Sequence, residues 1–301
     1  MIICGFYRIM GEYSKHYGGN NMKGKKCAAL LTAAVLFTAA LTGCSGTPGD
    51  ASGSDVSDSG KPQLKVATNA EFAPWETLVN GEYVGADMDI IRAIADKLGM
   101  EVVYQNMEFD SVIASLVSKK SDVAISGLTI TQKRESQVDF TDPYYKAAQV
   151  LIVRSDDTVF TGTTKEELDE QLKGKKIGVC GGFTGESYVK GDPDWPFEPI
   201  EGAEAVIYDN ISLAVQGLKN SKIDVIVMDG PTANEAAAVA ENKDAVKVID
   251  VPLTVERYAI GVQKGNTDLM NKVNGALKEL QNEGKIAEIL AKYDMEVPAD
   301  L

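Results

Sequence analysis

The chain has 301 residues, 44% of them hydrophobic, which is enough for two domains with full apolar cores. Its formal charge of −14 at pH 7 argues against nucleic acid as a partner, because phosphate backbones attract basic surfaces. The only histidine, His16, and three of the four cysteines lie within the first 44 residues. Removal of that segment would exclude histidine-dependent catalysis, histidine metal sites and an internal disulfide.

Residues 22–44 contain the three parts of a secretory signal. Met22 is followed by three lysines, residues 28–40 form an apolar run, and Leu41-Thr42-Gly43-Cys44 comes next. The run is too short for a comfortable transmembrane helix. Leu-Thr-Gly-Cys resembles the lipobox of bacterial lipoproteins, which implies cleavage before Cys44 and lipid attached to its sulfur. An ordinary signal peptide and an uncleaved anchor are the alternatives.

The segments on either side of this signal are interpreted by composition. Residues 1–21 fit no part of a signal and read as an extension upstream of Met22, although either Met1 or Met22 could be the start. Residues 1–44 hold five of the 30 basic and one of the 44 acidic residues, so the mature part would carry a formal charge of −18. Residues 45–62 are rich in Gly, Ser and Asp and predict a flexible tether.

From residue 63 onward, strands and helices alternate with short links. Apolar periodicity predicts strands at 64–69, 101–106 and 122–126, and helices at 88–98 and 110–119. Residues 147–154 then form a long extended run that could leave the first lobe. This alternation is typical of a parallel sheet covered by helices.

A second, similar series follows. It comprises strands at 176–180, 206–208, 224–228 and 245–250, and helices at 164–172, 211–219 and 231–240. The first of these helices has the spacing of a capping box at Thr163 and Glu166. Another extended run at 258–263 precedes one or two amphipathic helices within 268–293. If both extended runs are crossover strands, the chain is an α/β protein of two lobes. Lobe one would be 63–150 with 256–297, and lobe two 154–252.

Residues 122–134, DVAISGLTITQKR, contain a candidate anion site. We interpret 122–126 as a buried strand broken by Gly127, and 129–134 as the first turns of a helix. Unpaired N–H groups at such a junction, together with the guanidinium of Arg134, suit a small carboxylate. The alternative is an ordinary strand-to-helix turn with a surface arginine.

The predicted cleft between the lobes brings this stretch opposite two features of the second series. These are the glycine-rich turn at 181–185 and Asp229, both at strand ends. One set of groups suits a carboxylate, and Asp229 suits an ammonium. A ligand with both groups on adjacent atoms is an α-amino acid.

At this point the sequence resembles the bacterial extracellular amino-acid-binding proteins, family 3 of the solute-binding proteins that feed ABC importers. The resemblance covers about residues 62–296. Beside 122–134 it rests on VATNAEFAPWE (66–76), GADMDIIRAIADKLG (85–99), MEFDSVIASL (107–116), VDFTDPYY (138–145), GVCGGFTGESY (178–188) and DVIVMDGP (224–231). The sequence departs from the family at Ala86, usually a large apolar residue, and at Phe183, where a second threonine is frequent.

The resemblance implies a periplasmic-binding-protein-like fold of type II, with two mixed sheets flanked by helices and joined by two crossover strands. It implies that Arg134 pairs with the ligand α-carboxylate, helped by backbone N–H groups of Thr129 and Thr184. It also implies that Asp229 and the Gly127 carbonyl take the α-ammonium. The side-chain subsite would be lined by Asn69, Glu71, Phe72 and Phe109, with Ser126 and Cys180 at its edge.

Some of these residues have plainer interpretations. Asp229 could simply cap the helix that follows, and Phe72 and Phe109 could be core residues. Asp87 and Asp89 are interpreted as charges at a helix start, and Cys180 as a pocket wall.

The resulting hypothesis is an extracytoplasmic binding protein, lipid-anchored to the cell membrane at Cys44. It would be a monomer without cofactor or metal that delivers a free amino acid to ABC permease subunits. Glu71, two phenylalanines and the acidic body favour arginine or lysine, with glutamine or cystine behind. The alternatives are a dehydratase or lyase using Glu71 or Asp229 as acid or base, and a ligand-sensing partner of a receptor.

Overall fold

The computed structural model describes residues 60–195 and 197–297. The predicted signal, the lipobox at Cys44 and most of the predicted tether therefore lie outside the described residues. Within the part that is described, no helix combines the length and hydropathy needed to cross a membrane.

Strands and helices alternate along most of this chain. The strands are β1 (Gln63–Thr68), β2 (Glu71–Phe72), β3 (Glu76–Val79), β4 (Glu82–Val84), β5 (Glu101–Asn106), β6 (Val123–Ala124), β7 (Val138–Phe140), β8 (Tyr145–Ala147), β9 (Gln149–Arg154), β10 (Lys176–Cys180), β11 (Glu204–Tyr208), β12 (Val225–Asp229), β13 (Val246–Ile249), β14 (Glu256–Tyr258) and β15 (Gly261–Gln263). The helices are α1 (Ala86–Leu98), α2 (Phe109–Val117), α3 (Gln132–Glu135), α4 (Lys165–Leu172), α5 (Thr184–Lys190), α6 (Ile211–Lys219), α7 (Gly230–Ala238), α8 (Thr267–Asn282) and α9 (Lys285–Lys292).

Two five-stranded mixed sheets have the same plan. In the first, the order is β5-β1-β6-β15-β7, with β1 parallel to β5 and β6 and with β15 antiparallel to its neighbours. In the second, the order is β11-β10-β12-β9-β13, with β10 parallel to β11 and β12 and with β9 antiparallel. The predicted α/β class with two mixed sheets is confirmed. We call the two sheets and their helices lobe one and lobe two.

Two strands between the lobes pair with each other. Strand β8 lies where the chain leaves lobe one, and β14 where it returns from lobe two. They pair antiparallel, with Ala147 opposite Glu256 and Tyr145 opposite Tyr258. The paired segments are thus 145–147 and 256–258, whereas much of each extended run predicted as a crossover, 147–154 and 258–263, lies within a sheet as β9 or β15. Because β9 is part of the second sheet, that sheet begins before residue 154, the predicted start of lobe two.

Aromatic packing fixes the lobe-one side of these crossovers. The Trp75 ring is fully buried, and its centroid lies 4.6 Å from that of Tyr145 and 5.1 Å from that of Tyr258. The Tyr144 N–H also donates to the Tyr258 carbonyl. Edge-on aromatic contacts of this kind add stability beyond buried area, so this end of β14 is held by lobe one.

The returning chain completes lobe one with α8 and α9, which pack on α1. Helix α1 ends at Gly99 in the left-handed region (φ +65°), where a glycine has no Cβ to strain. The Lys97 ammonium contacts carboxylates of Glu279 and Glu283 across this packing.

Several local predictions are wrong. The helix expected at 129–134 is only the single turn α3, capped by Thr131, and β6 is shorter than expected. The physical reason is pairing with the returning chain: the Ile130 N–H donates to the Arg257 carbonyl, and Thr129 forms a bridge with Tyr258. These backbone bonds hold 128–130 extended, so no helix N-terminus lies at the end of β6.

Two other differences concern caps and a hairpin. The N-cap of α4 is Thr164 rather than Thr163, with Glu167 closing the box by accepting from the Thr163 N–H. The small sheet β2-β3-β4 was not predicted, because each strand is too short to show a period.

Candidate ligand-binding site

A cavity of about 210 Å³, open to solvent, lies between the lobes. Lobe one contributes its walls from 72–134, and lobe two from 183–229. The lining residues are Phe72, Phe109, Ser126, Gly127, Thr129, Arg134, Phe183, Thr184 and Asp229.

The turn after β6 is held from below by two buried acids. The Asp87 carboxylate accepts from the Gly127 N–H at 2.7 Å, and the Glu76 carboxylate accepts from the Ser126 hydroxyl at 2.7 Å. Gly127 has φ +51°, and a Cβ there would lie 2.6 Å from the Phe72 ring. Only glycine therefore fits at this point, where the backbone faces the cavity.

The Ser126 hydroxyl has a defined direction. Its proton goes to Glu76, and its oxygen accepts the Asn69 N–H at 3.0 Å. A hydroxyl has one proton and two lone pairs, so the remaining group of Ser126 is an acceptor. It can serve a cationic group in the cavity.

Arg134 is the cationic group of the lining. Its Nη1 donates to the Thr129 carbonyl at 2.8 Å, and its Nη2 donates across the cleft to the Gly182 carbonyl at 3.2 Å. The guanidinium carbon lies 5.2 Å from the centre of the Phe109 ring. Burial lowers the pKa of Arg134, and nearby Glu256 and Asp229 oppose that shift. With five N–H donors and two used here, the fork retains donors for a carboxylate.

Asp229 is the acidic group of the lining. It ends β12 and makes no side-chain bond to the first turn of α7, so the capping alternative is not realised. The Tyr258 hydroxyl donates to its carboxylate instead. Burial, followed by the charge of Glu256, raises the pKa of Asp229 to about 7. A cation bound in the cavity would favour its ionised form.

Glu256, on the returning crossover, joins the two lobes behind the cavity. Its Oε2 accepts from the hydroxyls of Thr129 in lobe one and Thr184 in lobe two, each at 2.8 Å. Its Oε1 accepts from the Thr254 hydroxyl at 2.8 Å and from the Gln149 amide at 3.2 Å. Four donors thus satisfy a carboxylate that is 2% exposed. The network places both lining threonines.

Eight of the ten residues predicted to bind a ligand line this cavity; their contact with a ligand stays a prediction. Asn69 and Glu71 do not line it. The Asn69 amide donates to the Met107 carbonyl, and the exposed Glu71 carboxylate accepts from Asn210 of lobe two at 3.0 Å. Cys180 is buried beside the cleft but outside the lining, and burial raises the pKa of its thiol to about 12.

Sequence reasoning missed the residues that support the lining. Glu256 and Tyr258 lie just before and at the start of the predicted extended run at 258–263. The available signal for Glu256 was an acid beside this largely apolar run. Asp87 was interpreted as a helix-start charge, whereas it is fully buried under Gly127. Among the described residues, no cluster of three or more His, Cys, Asp or Glu side chains could hold a metal ion.

The sequence profile of the bacterial extracellular solute-binding proteins, family 3, matches residues 64–296. The arginine-binding extracellular protein ArtP of Bacillus subtilis (strain 168) is 31% identical over 269 residues, which is 89% of this chain and 98% of ArtP. A probable histidine-binding protein of Neisseria gonorrhoeae is 32% identical over 276 residues, which is 91% of this chain and 96% of that protein.

A solved structure of an ancestral arginine-binding protein bound to arginine has a TM-score of 0.69 and 38% identity. That match covers 77% of this chain and 98% of the ancestral protein. These relatives are binding proteins rather than enzymes, and the lyase or dehydratase interpretation has no support among them. The chain therefore belongs to the bacterial extracellular solute-binding proteins, family 3, and has their two-lobe fold.

Proposed function

We propose that this protein binds a free α-amino acid between its lobes and delivers it to an ABC importer. The observation that supports this most directly is one cavity lined by Arg134 from lobe one and Asp229 from lobe two. A zwitterion offers a carboxylate to the first and an ammonium to the second. Without such a ligand, half-buried Arg134 and buried Asp229 would each lack a full set of partners.

The division of these groups between lobes gives a mechanism for closure. Neither lobe satisfies both ends of the ligand, so the ligand binds the closed arrangement more tightly than an open one. The paired strands β8 and β14 are then the hinge. Periplasmic binding proteins are a well-known case of such hinge closure around a ligand. The closed, loaded protein would present both lobes to the permease.

For the ligand side chain we favour a cationic group, arginine or lysine. Phe72, Phe109 and Phe183 surround the part of the lining that the α-groups leave free. Phenyl faces attract cations as well as apolar stems. The arginine-binding relatives agree with this choice, and glutamine is the next candidate to test.

We further propose export and lipid attachment at Cys44, with residues 45–62 as the tether. The support is the order of lysines, apolar run and Leu-Thr-Gly-Cys in the sequence. Mass spectrometry of protein isolated from its native membrane tests this: a diacylglyceryl-modified Cys44 as the first residue is expected. A mature chain that begins after Cys44 would contradict it.

A thermal-shift screen of the 20 common amino acids, followed by calorimetry, tests the binding function. At 100 times its Kd a ligand stabilises the protein by about 2.7 kcal/mol, which is visible as a higher Tm. We expect Arg134→Ala to weaken binding by roughly 2–5 kcal/mol, because the ligand carboxylate would then be buried without its guanidinium partner. The exposed Arg257→Ala is the matched control. No response to any amino acid, or equal affinity in Arg134→Ala, would contradict the proposal.

A further inference from the structure

The cleft turn of lobe two carries a phenylalanine at a helix cap. Phe183 is the N-cap residue of α5, with extended φ and ψ of −79° and 160°, and it makes no side-chain cap bond. A threonine in such a position typically stabilises a helix through that bond. The phenylalanine gives up this contribution, and its ring makes contacts across the cleft instead.

The ring reaches across the cleft to two aromatic rings of lobe one. Its centroid lies 5.2 Å from that of Phe72 with the ring planes 87° apart, and 4.5 Å from that of Phe109 at 55°. All three rings belong to the cavity lining. The Phe183 ring therefore touches both lobe-one rings. We call this cluster the phenyl cage; a ligand side chain would pack on its ring faces, and its lobe-two wall is in place only when the lobes are together.

The cage already holds a guanidinium on one side. Arg134 lies over Phe109 at 5.2 Å, so this ring accepts a flat cation in the setting of the cleft. The charged side chains of the lining are Arg134 and Asp229, and the α-groups of an amino acid engage both. Beyond them, the ligand side chain meets phenyl faces rather than a carboxylate.

We propose that Phe183 is a specificity-determining residue that makes the cleft prefer a planar guanidinium side chain over a compact ammonium. The inference rests on the proposed amino-acid binding. A guanidinium is flat, delocalised and weakly hydrated, so it stacks on phenyl rings at little desolvation cost. The lysine ammonium is strongly hydrated and gains less from a cage without an acid. The wall that Phe183 adds thus separates arginine from lysine.

The test compares arginine, lysine and alanine as ligands of the wild type and of Phe183→Leu by calorimetry. Leucine keeps apolar bulk but removes the ring. A cation–π contact of typical strength predicts about a fivefold weaker affinity for arginine, a change of less than about twofold for alanine, and an arginine-to-lysine preference reduced at least about threefold. Phe183→Thr, which restores a capping side chain, should show the same loss of preference without loss of thermal stability.

Phe197→Leu is the matched control. Phe197 is a half-buried ring of lobe two outside the cavity, and it packs on Tyr188. The variant Phe197→Leu should therefore leave the arginine-to-lysine preference unchanged. An unaltered preference in Phe183→Leu, or an equal loss for all three ligands, would overturn the inference while leaving amino-acid binding intact. Failure of the wild type to bind arginine would overturn the inference, and failure to bind lysine as well would overturn the choice of a cationic side chain, whereas binding of another amino acid would leave the proposed function standing.

Discussion

Two pairs of buried acids lie close to the turn after β6, and their hydrogen-bond partners differ. At the cleft, Glu256 accepts four hydrogen bonds, and Asp229 accepts one from Tyr258 while facing the cavity. Beneath the turn, Glu76 and Asp87 are both 0% exposed, and each has one oxygen without a hydrogen-bond partner among the described residues. Glu256 therefore has donors for both oxygens, whereas Glu76 and Asp87 each have a donor for one oxygen only.

The difference is one of access: Asp229 faces the cavity, whereas Glu76 and Asp87 are fully buried beneath the turn. Burial, then the charge of Asp87, raises the pKa of Glu76 well above its usual value, and burial raises the pKa of Asp87 to about 7. Two carboxyl groups in one dry site behave as a pair that shares protons. Asp229 has a similarly raised pKa, but it opens onto the cavity, where a ligand ammonium can take the place of the proton.

The largest expected effect is at the cleft. In Asp229→Asn, a ligand ammonium would lose its buried counter-charge. We expect binding to weaken by roughly 2–5 kcal/mol, with no loss of thermal stability in the free protein, because a buried charge has also been removed. Calorimetry and thermal melts of the same sample measure both. Asp244→Asn, at an exposed acid of lobe two, controls for net charge. Normal affinity in Asp229→Asn would show that Asp229 is not the counter-charge of a bound ammonium.

Binding should also depend on pH through the same carboxyl. The ligand ammonium requires ionised Asp229, whose pKa in the empty cleft is about 7. Binding therefore releases a proton, and affinity falls as the pH drops below 7. Between pH 8 and pH 5.5 the expected loss is about 30-fold, since each pH unit below the pKa costs up to about tenfold.

Calorimetry in buffers of different ionisation enthalpy near pH 7 measures the released proton directly. Asp229→Asn should abolish this release in whatever binding it retains. Affinity that is constant between pH 5.5 and pH 8 would show that the Asp229 carboxyl is ionised before the ligand arrives.

Much of the fold could be predicted from the sequence because its signals are local. Helix α1 shows a clear apolar repeat and a terminal glycine, and its predicted range is within two residues of that found. The strand-to-helix junction at 122–134 could not be predicted, because residues 128–130 pair with a strand more than 120 positions later in the chain. Non-local pairing of this kind overrides helical propensity and leaves no periodic trace.

The candidate site, like the fold, could be predicted where its signals are local. Arg134, Asp229 and the two lobe-one phenylalanines follow strong motifs at element ends, and the structure brings them to one cavity. Asn69 and Glu71 sit in the same motif as Phe72, but alternation and the turn at 69–71 direct them away from the lining. Glu256 and Asp87 act through hydrogen bonds to other chain segments, which a single sequence does not display.

The lower acid pair should be visible in stability rather than in binding. Because the pKa of Asp87 is raised in the folded state, that state binds more protons than the unfolded chain between about pH 4 and pH 7. The free energy of unfolding should therefore fall as pH rises through this range, by on the order of 2 kcal/mol from Asp87 between pH 5 and pH 7. Urea unfolding at each pH measures it.

Asp87→Asn should flatten this dependence. An amide can accept from the Gly127 N–H and donate to Glu76, so it imitates the protonated acid. We expect the variant to be more stable than the wild type at pH 8 and similar to it at pH 5. Asp96→Asn, an exposed acid on the same helix, should show the wild-type slope. A wild-type slope in Asp87→Asn would mean that no shared proton exists beneath the turn.

The smallest expected effect concerns the bond that joins the lobes at Glu256. Thr184→Val keeps the shape of the side chain but removes the hydroxyl that donates to Oε2 from lobe two. Because an open form would separate Thr184 from β14, which lobe one holds, the lost bond should count only in the closed form. We expect ligand affinity to fall by about 1 kcal/mol, or about fivefold, with the Tm of the free protein unchanged.

Thr254→Val removes an equivalent donor from the other oxygen of the same carboxylate. Thr254 is two residues from Glu256 along the chain, so its bond should persist whether the lobes are open or closed. Its loss should lower the Tm of the free protein and leave affinity nearly unchanged. If Thr184→Val lowers only the affinity and Thr254→Val lowers only the Tm, the contact that depends on closure is the one made by Thr184. Equal effects on affinity and stability would mean that Glu256 supports the hinge alone and contributes nothing to closure.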